Sequence, residues 1–109
     1  MKYMYGDVYW VDLNNKCTGD FKHKQTGIRP CVIVSNDCNN HYCDLVSVIP
    51  LTTKRDFLPQ HKKIFVKGKM NYVLPEQILT IEKKQLLDWH YHIYNMTPIQ
   101  QAMKIQFNL

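Results

Sequence analysis

The sequence predicts a small, mostly antiparallel β barrel with one helix packed on it at the C-terminus. Three observations carry that expectation. Short apolar segments rich in β-branched and aromatic residues recur along the chain, some alternating with period two. Turn-forming residues separate them at short intervals. The clearest helical spacing comes last, in the segment that opens at Thr97. Several short strands with one terminal helix suit a barrel capped by that helix. At 109 residues the chain is expected to form one domain, 1–109, with one modest core.

Residues 6–13 (GDVYWVDL) read as the first strand, with Tyr9, Val11 and Leu13 alternating against Val8, Trp10 and Asp12. A loop over residues 14–27 follows, carrying Lys16, Lys22, His23 and Lys24 against one acid, Asp20. A loop of that length in a small domain is either a functional segment or a solvated connection. The second strand is expected over residues 30–35, where Pro30 drives Arg29 into an extended conformation. Residues 37–40 read as a turn. Residues 44–51 (DLVSVIPL) form the third strand, which Pro50 is expected to end or bulge. A fourth strand over 63–67 turns at Gly68-Lys69, a fifth over 72–81 is interrupted at Pro75, and 83–87 is a short helical turn. Trp89, Tyr91 and Ile93 alternate with His90, His92 and Tyr94, which predicts a sixth strand. In the terminal helix Thr97 is the expected N-cap, Pro98 suits the first position and Gln100 completes a capping box. Ile99, Ala102, Met103 and Phe107 then form an apolar stripe expected to face the core.

The net charge of +5 and pI near 9.0 favour an anionic partner, nucleic acid or an acidic peptide. With 45% hydrophobic and 21% charged residues the chain is globular rather than disordered. Neither a signal peptide nor an apolar segment of membrane length is read from the sequence, so the expected location is the cytoplasm and no membrane partner is expected. The cysteines Cys17, Cys31, Cys38 and Cys43 form no CxxC pair, and Cys38, His41 and Cys43 match no common zinc spacing. They read as free thiols, Cys31 as a core residue, and neither metal nor cofactor is expected.

No GxSxG, HExxH or P-loop is present. The five histidines are candidates for acid–base chemistry on residue type alone. A more specific constellation is Arg29 at the root of a strand with Thr52 or Thr53 at the exit of the next, followed by Lys54 and Arg55. RNA carries its own nucleophile, the 2′-hydroxyl. An enzyme that aligns it needs to neutralise the charge that develops on phosphorus, which a fixed guanidinium and a hydroxyl can do. A structural ion pair is the other reading of Arg29. Phe21 beside Lys22 and Phe57 near Arg55 could stack unpaired bases or fold back onto the core.

Four segments resemble, in order, the motifs of the MazF/PemK (Kid) family of toxin endoribonucleases. They are Gly6 to Leu13, the Gly-Ile-Arg-Pro run that ends in Asn36-Asp37, Val48-Ile49-Pro50-Leu51-Thr52, and Glu76-Gln77-Ile78 with Thr80-Ile81 and Lys83. The resemblance implies an SH3-like barrel with a C-terminal helix. It implies metal-independent, sequence-specific cleavage of single-stranded RNA, leaving a 2′,3′-cyclic or 3′-phosphate and a 5′-hydroxyl. The catalytic residues it implies are Arg29 and Thr52, with Thr53 as a substitute, and it puts Glu76 and Gln77 on the RNA-contacting surface. It further implies a homodimer, and an antitoxin whose acidic tail covers the RNA grooves. Lys22, His23 and Lys24 stand where relatives often carry a Ser-Glu-Gln-Gly-like stretch, so the loop is expected to touch RNA but its base preference does not carry over. Gln85 stands where a basic residue is often found. Two other readings remain: a non-enzymatic gyrase poison of the CcdB type, and an inactive RNA-binding barrel.

Overall fold

In the computed structural model, residues 2–13, 27–54 and 58–109 are described. Among them the elements are β1 (Asp7–Asp12), β2 (Ile28–Ile33), α1 (Asp37–Tyr42), β3 (Leu45–Thr52), β4 (Lys63–Val66) and β5 (Lys69–Val73). A 3-10 turn (Pro75–Gln77), β6 (Leu79–Glu82), a second 3-10 turn (Lys83–Gln85), β7 (Leu86–His92) and α2 (Thr97–Phe107) complete the order. The strands form one curled antiparallel sheet in the order β4-β5-β3-β2-β1-β7, with β6 also on β3. The expected mostly-β architecture with a C-terminal helix is what forms.

The sheet buries both faces. Consecutive strand residues point to opposite sides, and Val32 and Ile49 belong to one core while their neighbours Ile33 and Val48 belong to the other. This is why β2 and β3 read as continuous apolar runs rather than as alternating ones. On the first face Ile99 and Ala102 of α2 pack with Ile64, Val66 and Val73 of the β4–β5 hairpin. On the second, Ile81 of β6 and Leu86 of β7 close over Val11, Cys31 and Ile33.

β3 is shared among three neighbours. Residues 45–48 pair with β6, residues 48–50 with β2, and Leu51 and Thr52 with β5. The strand therefore runs through Pro50 instead of ending there. The N and C=O of one antiparallel strand residue point to the same side, and the Pro50 carbonyl accepts from Leu74 N at 3.1 Å. Its missing N–H thus faces the gap where β6 has ended and β5 begins, so no ladder bond is lost.

Several local expectations are corrected. Residues 37–40 are not a turn but the first part of α1. Asn36 caps that helix by accepting from Asn39 N at 2.8 Å. Asn40 is fully buried, donates to Ser35 O at 2.8 Å and accepts from Ser35 Oγ. Residues 72–81 hold the end of β5 and all of β6 but its last residue, Glu82, separated by the 3-10 turn that Pro75 opens. β2 begins at Ile28, not at Pro30, so Arg29 lies within the ladder opposite Val11. The β4–β5 turn is centred on Lys67 and Gly68, with φ 51 and 77, the paired positive values of a two-residue hairpin loop. Thr97 is not the N-cap of α2. Its own N–H goes to Asn95 Oδ1 at 3.1 Å, and Gln100 Nε2 donates to the Tyr5 hydroxyl at 2.9 Å instead of reaching back. Phe107 leaves the core stripe and is 44% exposed, because the helix ends at Asn108, which takes the left-handed conformation. Residues 14–26, with Cys17, Phe21, Lys22, His23 and Lys24, and residues 55–57 lie outside the described residues.

At the start of β1, Gly6 has φ +93, and a Cβ there would stand 2.7 Å from Ile93 O. Its N–H donates to Ile33 O and its carbonyl accepts from Ile93 N, both at 2.9 Å, so the backbone cannot retreat. Next to it, buried Asp7 accepts from Met4 N at 2.8 Å, His92 Nδ1 at 2.7 Å and Trp89 Nε1 at 3.4 Å. Gly6→Ala combines backbone strain with a clash and is expected to destabilise the fold by about 2 kcal/mol or more. A urea titration checks this; an unchanged midpoint would contradict it. Burial pushes the Cys31 thiol up to about 12, so its thiolate is negligible at neutral pH. Iodoacetamide at pH 8 is expected to label exposed Cys38 and to reach Cys31 only after denaturant is added; native labelling of Cys31 would contradict its burial.

Candidate functional site

Arg29 is the second residue of β2, and Thr52 is the last of β3. The two strands pair as Ile33 with Val48, Val32 with Ile49 and Cys31 with Pro50. Continued by two residues, that register sets Arg29 opposite Thr52. The same parity puts Arg29 on the face of Cys31 and Ile33, at the rim beyond the buried residues. Pro30 holds Arg29 extended. The anchoring is therefore apolar and rigid, while the guanidinium-bearing residue itself is exposed.

Thr52 is half-buried, and its Oγ1 accepts from Lys54 N at 3.2 Å. Accepting that bond fixes the hydroxyl while its own hydrogen remains a donor. Thr53 and Lys54 follow, both exposed. The rim thus combines a guanidinium, an ammonium and two hydroxyls, and this is a donor-rich, cationic edge suited to a phosphate.

The 3-10 turn Pro75–Gln77 completes this edge. Leu74 N bonds to Pro50 O, two residues before Thr52, and Gln77 N closes the turn on Leu74 O at 3.0 Å. Glu76 and Gln77 are therefore brought to the same end of the sheet as Thr52. Glu76 Oε2 is held at 2.6 Å by His61 Nε2. The structure thus groups Arg29, Thr52, Thr53, Glu76 and Gln77 along one edge. The predicted residues Lys22, His23 and Lys24 lie outside the described residues.

Among the described residues the other three histidines have other surroundings. His92 is tied to Asp7, His90 packs its ring 4.9 Å from that of Trp10, and His41 lies 4.5 Å from Tyr42 on α1. Burial, with Lys67 nearby, lowers the His90 pKa. His61 is a candidate on residue type like the other four, and nothing local in the sequence singles it out, since its partner stands fifteen residues later in the chain. Among the described residues no group of three or more His, Cys, Asp or Glu side chains could hold a metal ion. A cavity of about 440 Å³ lined by Tyr3, Asp7, Tyr9, Trp89, His92 and Tyr94 opens at the other end of β1, away from Arg29. Among the described residues no helix is long and apolar enough to cross a membrane.

The family model for PemK-like, MazF-like toxins of type II toxin–antitoxin systems matches residues 4–107. The endoribonuclease EndoA of Bacillus subtilis (strain 168) is 30% identical over 112 residues, covering 95% of this chain and 93% of the relative. A mycobacterial endoribonuclease solved with its cognate antitoxin superposes with a TM-score of 0.73 at 25% identity, over all of this chain and 97% of its own. MazF of Deinococcus radiodurans shares the fold, with a TM-score of 0.75 at 15% identity over 97% of this chain and 96% of its own. On the match across nearly its whole length, the chain belongs to the PemK-like, MazF-like family of type II toxins.

Proposed function

We propose that the chain, as one domain, is a sequence-specific endoribonuclease toxin that cleaves single-stranded RNA without a metal ion. What supports this reading is the β2–β3 register, whose Cys31–Pro50 pair, continued by two residues, would bring Arg29 opposite Thr52. A scissile phosphate seated there would meet the guanidinium and the Thr52 hydroxyl together. As the 2′-oxygen bonds to phosphorus and the bond to the 5′-oxygen breaks, negative charge builds on the non-bridging oxygens. Donors fixed in advance at that point stabilise this charge more than they stabilise the ground state. The 2′ proton leaves to a base and the 5′-oxygen gains a proton, giving a 2′,3′-cyclic phosphate, open to hydrolysis to a 3′-phosphate, and a 5′-hydroxyl. Arg29 acts as an electrostatic clamp, since a guanidinium stays protonated at neutral pH.

The same edge suits two macromolecular partners. Glu76, Gln77 and Thr53 contact flanking nucleotides, and Lys22, His23 and Lys24 contribute from the loop. A cognate antitoxin with an acidic tail competes for this surface, in keeping with the +5 charge and with the antitoxin complex of the mycobacterial relative. The working form is a homodimer in the cytoplasm, with an RNA groove along the subunit interface.

Incubating the protein with a long single-stranded RNA in EDTA and mapping fragment ends tests the reading. Discrete cuts bearing 5′-hydroxyls are expected. Arg29→Ala is expected to lower the rate by about a thousandfold with folding intact. Near-normal turnover by Arg29→Ala would remove Arg29 from the mechanism. No cuts by a folded wild-type sample would favour a gyrase-binding or a non-catalytic RNA-binding role. Replacing Lys22, His23 and Lys24 together by Ala is expected to weaken RNA binding and flatten its salt dependence, because fewer counterions are released. An unchanged slope in a salt series would show that the loop does not meet the phosphates.

A further inference from the structure

His61 has a fully buried side chain, yet nothing in the strand pattern requires a polar ring at that point. It stands two residues before β4, where its N–H donates to Leu58 O at 3.0 Å. Were volume alone needed, an apolar side chain would fill the site without the cost of burying an imidazole. Instead the ring points Nε2 at Glu76 Oε2, 2.6 Å away, and the Glu76 side chain remains 29% exposed. An ionised carboxylate only accepts, so the ring presents Nε2–H to it. The carboxylate is thus gripped from below by one oxygen, while part of it stays open to solvent. Glu76 itself stands on a turn bonded to Pro50, at the end of the sheet that carries Thr52.

We infer that His61 is a positioning residue: it fixes the Glu76 carboxylate so that its open acceptor sites read a nucleobase edge that offers a donor. The donor is the amino group of adenine or cytosine, or the N1–H and amino edge of guanine. An unheld glutamate on a surface turn would sample several rotamers and tolerate any base. Held, it favours bases that donate and rejects uracil where O4 faces it. This inference rests on the endoribonuclease reading above, and it assigns to His61 selectivity rather than chemistry.

The test compares wild type with His61→Leu, His61→Gln, Glu76→Ala and Arg29→Ala. Cut sites are mapped on one long RNA, and kcat and KM are measured on a short oligonucleotide carrying the preferred site. His61→Leu and Glu76→Ala are each expected to relax the base preference at the same single position. Both raise KM by about tenfold while kcat stays within about twofold. His61→Gln carries an amide N–H near the place of Nε2 and is expected to restore the preference in large part. Arg29→Ala is expected to lose turnover but to bind a deoxy-substituted oligonucleotide with the wild-type base preference. A merely structural His61 would lower thermal stability and leave the site preference where it was. Unchanged cut sites and KM in a folded His61→Leu, or in Glu76→Ala should His61→Leu not fold, would overturn the positioning role and leave the endoribonuclease reading standing. Absence of cutting by wild type would instead overturn that reading, and this inference with it.

Discussion

The pairing of Cys31 with Pro50 is the constraint on which the site depends. It is flanked by the pairs Val32 with Ile49 and Ile33 with Val48, all four of them fully buried. A slip of one residue would send each of these side chains to the wrong face. Burying an aliphatic side chain contributes about 1.5–3 kcal/mol, so apolar packing on two faces holds the register firmly. Arg29 and Thr52 lie two residues beyond the Cys31–Pro50 pair, so the register that the core sets, continued to them, aligns them without their having to contribute to it.

The same division of labour extends through the fold. One end of the sheet is tied by bonds that serve stability: Gly6 between Ile33 and Ile93, and Asp7 among Met4, Trp89 and His92. The other end carries the exposed, donor-rich edge. Pro50 makes that edge possible. Its missing N–H coincides with the change from β6 to β5, and its carbonyl fastens the turn that bears Glu76 and Gln77. The proposed site thereby lies where the sheet changes partners, on backbone fixed by two cores.

The strands, and the positions of Arg29 and Thr52 at their ends, are legible because their signals are local. β-branched runs, Arg29 before Pro30, and Thr52 after an apolar strand can all be read within a few residues. α1 was not legible, since its six residues carry no apolar periodicity. Its stability comes from the Asn36 cap and from Asn40 bonding to Ser35, a contact that only the folded chain creates. The start of α2 was misread for a similar reason: Asn95 competes for the N–H that a capping box would have used. His61 was one of five unremarkable histidines in the sequence, and its pairing with Glu76 depends on how β4, β5 and the 3-10 turn come together.

The central claim is that Arg29 and Thr52 act on one phosphate. A double-mutant cycle on single-turnover RNA cleavage tests it most directly. Residues acting on the same group are not additive. The account predicts that Arg29→Ala with Thr52→Ala is scarcely slower than Arg29→Ala alone, although Thr52→Ala by itself slows the wild type markedly. Losses that multiply in full would show the two residues working independently and would contradict the account.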